Sequence, residues 1–202
     1  VRQTAAGLQY RDFITVGVLL NKFKTIAGKS ASAANGLIPD NWVYIQEPDL
    51  KVGRLQIFNN WSPYLVKDSS KIWVGLEYFC NQSDEFWHKQ DDYLKNFAVQ
   101  ELKKMGFIDA TDVADAVVIR MEKTYPAYVG SYDKFDIIRQ FTDGIANLFL
   151  IGRNGMHRYN NQDHSMLTAM AAVDNIIAGI TTKNNIWAVN TEQDYHENYG
   201  KR

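Results

Sequence analysis

The sequence predicts an α+β fold, a mixed and mainly antiparallel sheet packed with helices. Three observations lead there. Strand-like runs follow one another through the first half of the chain, a helical apolar stripe then replaces them, and the chain closes on a strand, a glycine turn and a long helix.

Asp12 to Phe23 is rich in β-branched and aromatic residues and too apolar for an edge facing water, so it is expected as a central strand. Ala27 to Asn35, small and polar, reads as a loop before a second strand at Trp42 to Gln46, and Pro48-Asp49 marks a turn. Arg54 to Phe58 and Ile72 to Cys80 supply further strands, separated by the turn Asn59-Asn60-Trp61-Ser62-Pro63 and by Lys67 to Lys71. The period changes at Asp84. Phe86, Tyr93, Leu94, Phe97, Val99 and Leu102 fit a helix that Ser83 or Asp84 starts and Gly106 ends. Ala110 to Met121 is a strand candidate, and Tyr125-Pro126-Ala127-Tyr128 is expected as an extended turn because proline restricts itself and the residue before it. Ser131 to Ile145 returns to helix with Ile137, Ile138 and Phe141 inward. Leu148 to Ile151 reads as a strand, and Asn160 to Gly179 as a helix. The polar tail from Thr181 holds one possible turn at Ile186 to Val189.

The 202 residues, 46% apolar and 13% aromatic, suffice for a substantial core. Lys plus Arg number 22 and Asp plus Glu 23, so a net charge of -1 excludes the electrostatic footprint of a nucleic-acid binder. Cys80 is the single cysteine, which rules out an internal disulfide, argues against a zinc site and fits a cytoplasmic location. No apolar run reaches the roughly 18 to 20 residues of a membrane span. Gly28-Lys29-Ser30 lacks the earlier glycine of a phosphate loop, and the glycosylation patterns at Asn60 and Asn81 have no sign of secretion beside them. The start at Val1, without Met, reads as the start of a piece of a longer protein.

The most informative run is Ile151-Gly152-Arg153-Asn154-Gly155-Met156-His157-Arg158-Tyr159-Asn160-Asn161-Gln162-Asp163-His164-Ser165-Met166. A strand, a glycine turn and a helix start present main-chain N–H groups and the positive end of a helix dipole, which suits an electron-rich ligand. The same glycines also serve a plain strand-to-helix turn with Asn160 as cap. His157 and His164 have no metal-ligand partner at helical spacing, so no metal is expected. Cys80 reads as a buried small hydrophobe rather than a nucleophile.

The segment Gly152-Arg153-x-Gly155-x-x-Arg158-Tyr159-x-x-x-Asp163 resembles an element near the end of UDP-galactopyranose mutases. The phrase from His157 to Met166 is similar to bacterial FAD-dependent oxidoreductases related to protoporphyrinogen oxidases and amine oxidases. Tyr10 to Val16, Lys51 to Arg54, Trp61-Ser62-Pro63, Gly75 to Phe79 and Tyr125 to Tyr128 fit the second group. The resemblance implies a substrate-binding domain at 1–146, a strand and helix at 147–180 returning to a Rossmann-like FAD domain, and an extension at 181–202. That FAD domain opens on a Gly-x-Gly-x-x-Gly fingerprint that these residues lack, which implies a missing N-terminal partner and a fragment inactive by itself.

By resemblance, FAD is the cofactor and Gly152, Arg153, Gly155, Asn161, Gln162, Asp163 and Met166 form its site. Arg54, Trp61, Tyr64, Tyr125, Tyr128 and Tyr159 are expected to meet a small or nucleotide-linked substrate, with Tyr159 near a diphosphate. No catalytic acid or base is identifiable. The implied activity is a flavin-dependent oxidoreductase, with a mutase-type isomerase as the alternative. His157, where mutases often carry Tyr, and Asn160-Asn161-Gln162 in place of Leu-Asp-Met weigh against the mutase. A non-catalytic binding or assembly domain is the remaining possibility.

Overall fold

The computed structural model describes residues 1–24 and 36–189. The loop expected at Ala27 to Asn35, the Gly28-Lys29-Ser30 run and the end of the tail lie outside them. The described residues form two compact units, one within 12–122 and one of residues 1–11 with 123–189.

The sheet order is β2-β3-β4-β1-β5, with β1 at Leu8–Leu20, β2 at Trp42–Tyr44, β3 at Arg54–Ile57, β4 at Ile72–Cys80 and β5 at Val113–Gly130. The pairings of β1 with β4, β3 with β4 and β2 with β3 are antiparallel. As expected for its composition, β1 is interior. In the 12–122 unit, Ile14, Val16, Val18 and Leu20 pair with Tyr78, Leu76, Val74 and Ile72 and are fully buried. Leu55 and Ile57 join the same face, and α3 (Asp91–Lys104) covers it with Leu94, Ala98 and Leu102. Each such aliphatic side chain contributes roughly 1.5–3 kcal/mol of burial. The period of two in the strands and the 3.6 spacing in the helix thus meet in one core.

The helix expected from Asp84 begins later. Glu85–His88 forms a 3-10 turn, and Lys89 and Gln90 are extended before α3 starts. Arg120 supplies the reason: its guanidinium donates to the carbonyls of Trp87 and Lys89 and to Asp91 Oδ1, taking acceptors that a continuous helix would use. At the other end Gly106, at φ +80°, stops the helix as expected. The turn expected at Asn59 to Pro63 is a short helix, α2 (Phe58–Trp61), followed by a 3-10 turn at Pro63–Leu65.

In the other unit β5 runs on through Tyr125-Pro126-Ala127-Tyr128, where a turn was expected. β5 is an edge strand, the place in a sheet where proline, which has no N–H for a ladder, is tolerated. This unit also holds α1 (Arg2–Ala6), α4 (Phe135–Asp143), α5 (Gly152–Gly155), α6 (Gln162–Ala178) and α7 (Asn184–Trp187). The strand expected at Leu148 to Ile151 is not one; no strand among the described residues pairs with it. The polar Lys183 is buried, and its Nζ donates to the carbonyls of Thr142 and Ile145, both at 2.8 Å, closing the end of α4.

Candidate functional site

Within the 1–11 and 123–189 unit, the glycine-rich run is held by its own side chains. Gly152 adopts φ +68°, a left-handed conformation that glycine enters without strain, and its N–H donates to the buried Thr168 Oγ1 at 3.0 Å. Arg153 then turns back. Its Nε and Nη2 donate to the Asn160 carbonyl at 3.0 and 2.6 Å, and Nη1 donates to Thr124 at 3.3 Å. The guanidinium lies 5.0 Å from the Tyr125 ring centroid and 4.7 Å from that of Tyr159, rings that stack at 5.5 Å. Tyr128 joins the group by accepting the Tyr159 N–H at its hydroxyl, 2.6 Å away.

His157 sits at φ +44° and is only 1% exposed. Its Nε2 lies 3.2 Å from the Ala127 carbonyl oxygen, which places the hydrogen on Nε2 and leaves Nδ1 a buried acceptor without a partner. Tyr10 meets the imidazole edge-on at 4.8 Å, with Tyr132 and Phe135 close by. Burial in this aromatic box lowers the imidazole's proton affinity below its usual value. The imidazole is thus a buried packing group with one hydrogen bond.

The run ends at α6, whose N-cap, Asn161, makes no side-chain capping hydrogen bond. The buried Asn160 accepts from Ser165 Oγ at 2.9 Å, which fixes the helix start from below. Asn161, Gln162 and Asp163 are exposed, as is Met166 at 59%. An uncapped, solvent-facing first turn is an available acceptor-binding end, and Asp163 offsets part of its positive potential. Beyond it α6 is buried only along Thr168, Ala172 and Asn175. Met170, Val173, Ile176 and Ile177 stand exposed, Ile177 to 81%.

The remaining expected residues belong to the 12–122 unit. Arg54 is buried to 3% exposure beside Glu77, with Nε and Nη2 both 2.6 Å from Oε2, and Gln56 donates to the other carboxylate oxygen. The rings of Trp42 and Phe79 each lie 4.7 Å from the guanidinium carbon. Trp61, 45% exposed, meets Trp42 edge-on at 6.0 Å. Tyr64 is 94% exposed on the Pro63–Leu65 turn. Thus Arg54 and Trp61 share a cluster through Trp42, and Tyr64 stands outside it. Sequence reading missed Trp42, Gln56 and Glu77. A glutamate inside the apolar run Ile72 to Cys80 was the available signal, because a buried carboxylate needs a partner.

Among the described residues no group of three His, Cys, Asp or Glu is placed to hold a metal ion, and no helix is long and apolar enough to cross a membrane. No family model matches the chain, and no curated protein matches it. Solved structures do. A reduced UDP-galactopyranose mutase aligns with a TM-score of 0.70 at 18% identity, over 91% of this chain and 37% of its own. A protein from Exiguobacterium sp. 255-15 carrying the name protoporphyrinogen oxidase aligns with a TM-score of 0.54 at 13% identity, over 86% of this chain and 35% of its own. The chain therefore shares its fold with part of each of these two proteins and spans little more than a third of either.

Proposed function

We propose that these residues are the substrate-domain part of an FAD-dependent oxidoreductase of the cytoplasm that acts on a small or nucleotide-linked substrate. Residues 1–146 bind substrate, 147–180 return to the FAD domain, and 181–202 extend beyond it. The observation that carries this reading is the uncapped, exposed start of α6, braced by Arg153, Asn160 and Ser165. Bound flavin supplies hydride chemistry. The residues that would hold it are Gln162 and Asp163 through their N–H groups, with Asn161 and Met166 beside them and Gly152 and Gly155 leaving room for the backbone to approach. Arg153 braces this wall from behind, since its donors are spent on carbonyls.

The substrate meets aromatic surface. In the 1–11 and 123–189 unit Tyr125, Tyr128 and Tyr159 offer one such surface; within the 12–122 unit Trp61 offers another, linked through Trp42 to Arg54, and the exposed Tyr64 stands apart from it. A mutase-type isomerase is the second reading, favoured by the higher TM-score of the mutase. The test is a longer protein that contains this chain, purified and examined for flavin absorbance. Substrate-dependent bleaching of oxidised flavin supports the oxidoreductase, and UDP-sugar turnover only with reduced flavin supports the isomerase. Absence of flavin, with no uptake of added FAD, overturns both.

A further inference from the structure

The 12–122 unit carries a cavity of about 350 Å³ that the reading above does not use. Its floor is Leu19 of β1 and its register partner Trp73 of β4, on the sheet face away from the core. Leu65, the last residue of the Pro63–Leu65 turn, and Val66 after it complete the apolar lining. The volume falls in the range of small-molecule sites, roughly 300–1,000 Å³. Leu65 in this lining is 54% exposed.

The polar rim has a sign. Lys67 and Lys71 flank the mouth together with Asp68. The Asp68 carboxylate is turned to its own loop, where Oδ1 accepts from Ser70 N–H at 2.9 Å and Ser70 Oγ at 2.7 Å. Lys71 Nζ is steered by Asn21 Oδ1, a neutral acceptor 2.6 Å away. Ser70 and Lys71 keep Asp68 ionised, so the lining carries two ammonium groups and one carboxylate, a net single positive charge, beside the apolar Leu19 and Trp73.

We propose that this cavity binds an amphipathic anion: an apolar chain or ring seated on Leu19 and Trp73, with a single carboxylate or phosphate at Lys67 and Lys71. An exposed ion pair contributes up to about 1 kcal/mol, so each lysine accounts for up to about fivefold in affinity. The site is independent of the flavin wall and needs neither cofactor nor the longer protein.

The test is calorimetric titration of the 202-residue chain at low salt with octanoate and with octan-1-ol, which share a chain and differ in charge. Octanoate is expected to bind at one site, about tenfold more tightly than the alcohol. The variant K67Q/K71Q should remove that difference while leaving the alcohol unaffected, and rising salt should do the same to the wild type. Leu19→Trp, which fills the floor, should weaken both ligands; the lysine variant, at the exposed Lys67 and the half-buried Lys71, keeps the comparison valid if L19W misfolds. Equal binding of acid and alcohol, retention of the preference in K67Q/K71Q, or no saturable binding overturns the proposal. Each of those outcomes leaves the flavin absorbance of the longer protein untouched.

Discussion

Arg153 donates twice to the main-chain carbonyl of Asn160, at 3.0 Å from Nε and 2.6 Å from Nη2. The residue that begins the glycine turn thereby fixes the residue just ahead of the α6 cap. This side chain works as a tie, its planar fork matched to one oxygen and its face to two tyrosines.

A lysine in that place keeps the charge and loses the fork. Arg153→Lys should cost about 1–3 kcal/mol in urea unfolding, the range for charged hydrogen bonds lost in a half-buried site. In the longer protein it should also lower flavin occupancy, since the helix start would no longer be held. An unchanged unfolding midpoint would remove the bracing role.

The Arg54 and Glu77 pair makes a second, opposite kind of prediction. Both residues are 3% exposed, so removing one partner strands a buried charge. Glu77→Leu alone should destabilise by about 3–5 kcal/mol, while Arg54→Met with Glu77→Leu should recover most of that loss. Chemical denaturation of the two variants decides it. If the double variant is as unstable as the single one, packing around Trp42 and Phe79, rather than charge, is what the pair maintains.

His157 should make stability depend on pH in a defined window. Its proton affinity is lowered by burial, so in the folded chain it stays neutral while the unfolded chain protonates near the usual value of 6.5. The stabilising contribution is full above that value and is lost as pH falls from there through the folded pKa, where protonation of Nδ1 would meet no acceptor. The wild type should therefore lose more stability between neutral pH and pH about 5 than His157→Gln, which cannot titrate. Parallel melting curves across that range would show the imidazole is not the cause.

Much of this architecture was readable in the sequence because it follows from local periodicity. Ile72 to Cys80 alternates around a core face and appears as a strand with those bounds, and α6 differs from the expected Asn160 to Gly179 by a residue or two. What was not readable depends on distant partners. The helix start at Asp91 is set by Arg120 from β5, and Pro126 is strand because β5 lies at the edge. Leu148 to Ile151 shows the converse, an apolar run with strand composition and no partner among the described residues. The site was read in part. The motif's brace residues Asn160, Ser165 and Thr168 look like ordinary polar residues until folding brings them under the turn.

The bare side of α6 carries the last prediction. A helix whose apolar residues continue well beyond its buried stripe belongs in contact with something on more than one face. Met170, Ile176 and Ile177 are 60%, 61% and 81% exposed, a patch of the kind that marks an interface. The 202-residue chain should bind an apolar dye such as anilinonaphthalene sulfonate and self-associate as concentration rises. Met170→Lys with Ile177→Glu should suppress both while changing unfolding free energy by no more than about 0.5 kcal/mol, as for surface positions. In the longer protein the same pair of substitutions should instead destabilise, because there the patch is proposed to lie against the FAD domain. Light scattering settles the first half and denaturation of the longer protein the second. If the substitutions are silent in both, α6 faces solvent throughout and the proposed return to a cofactor domain fails.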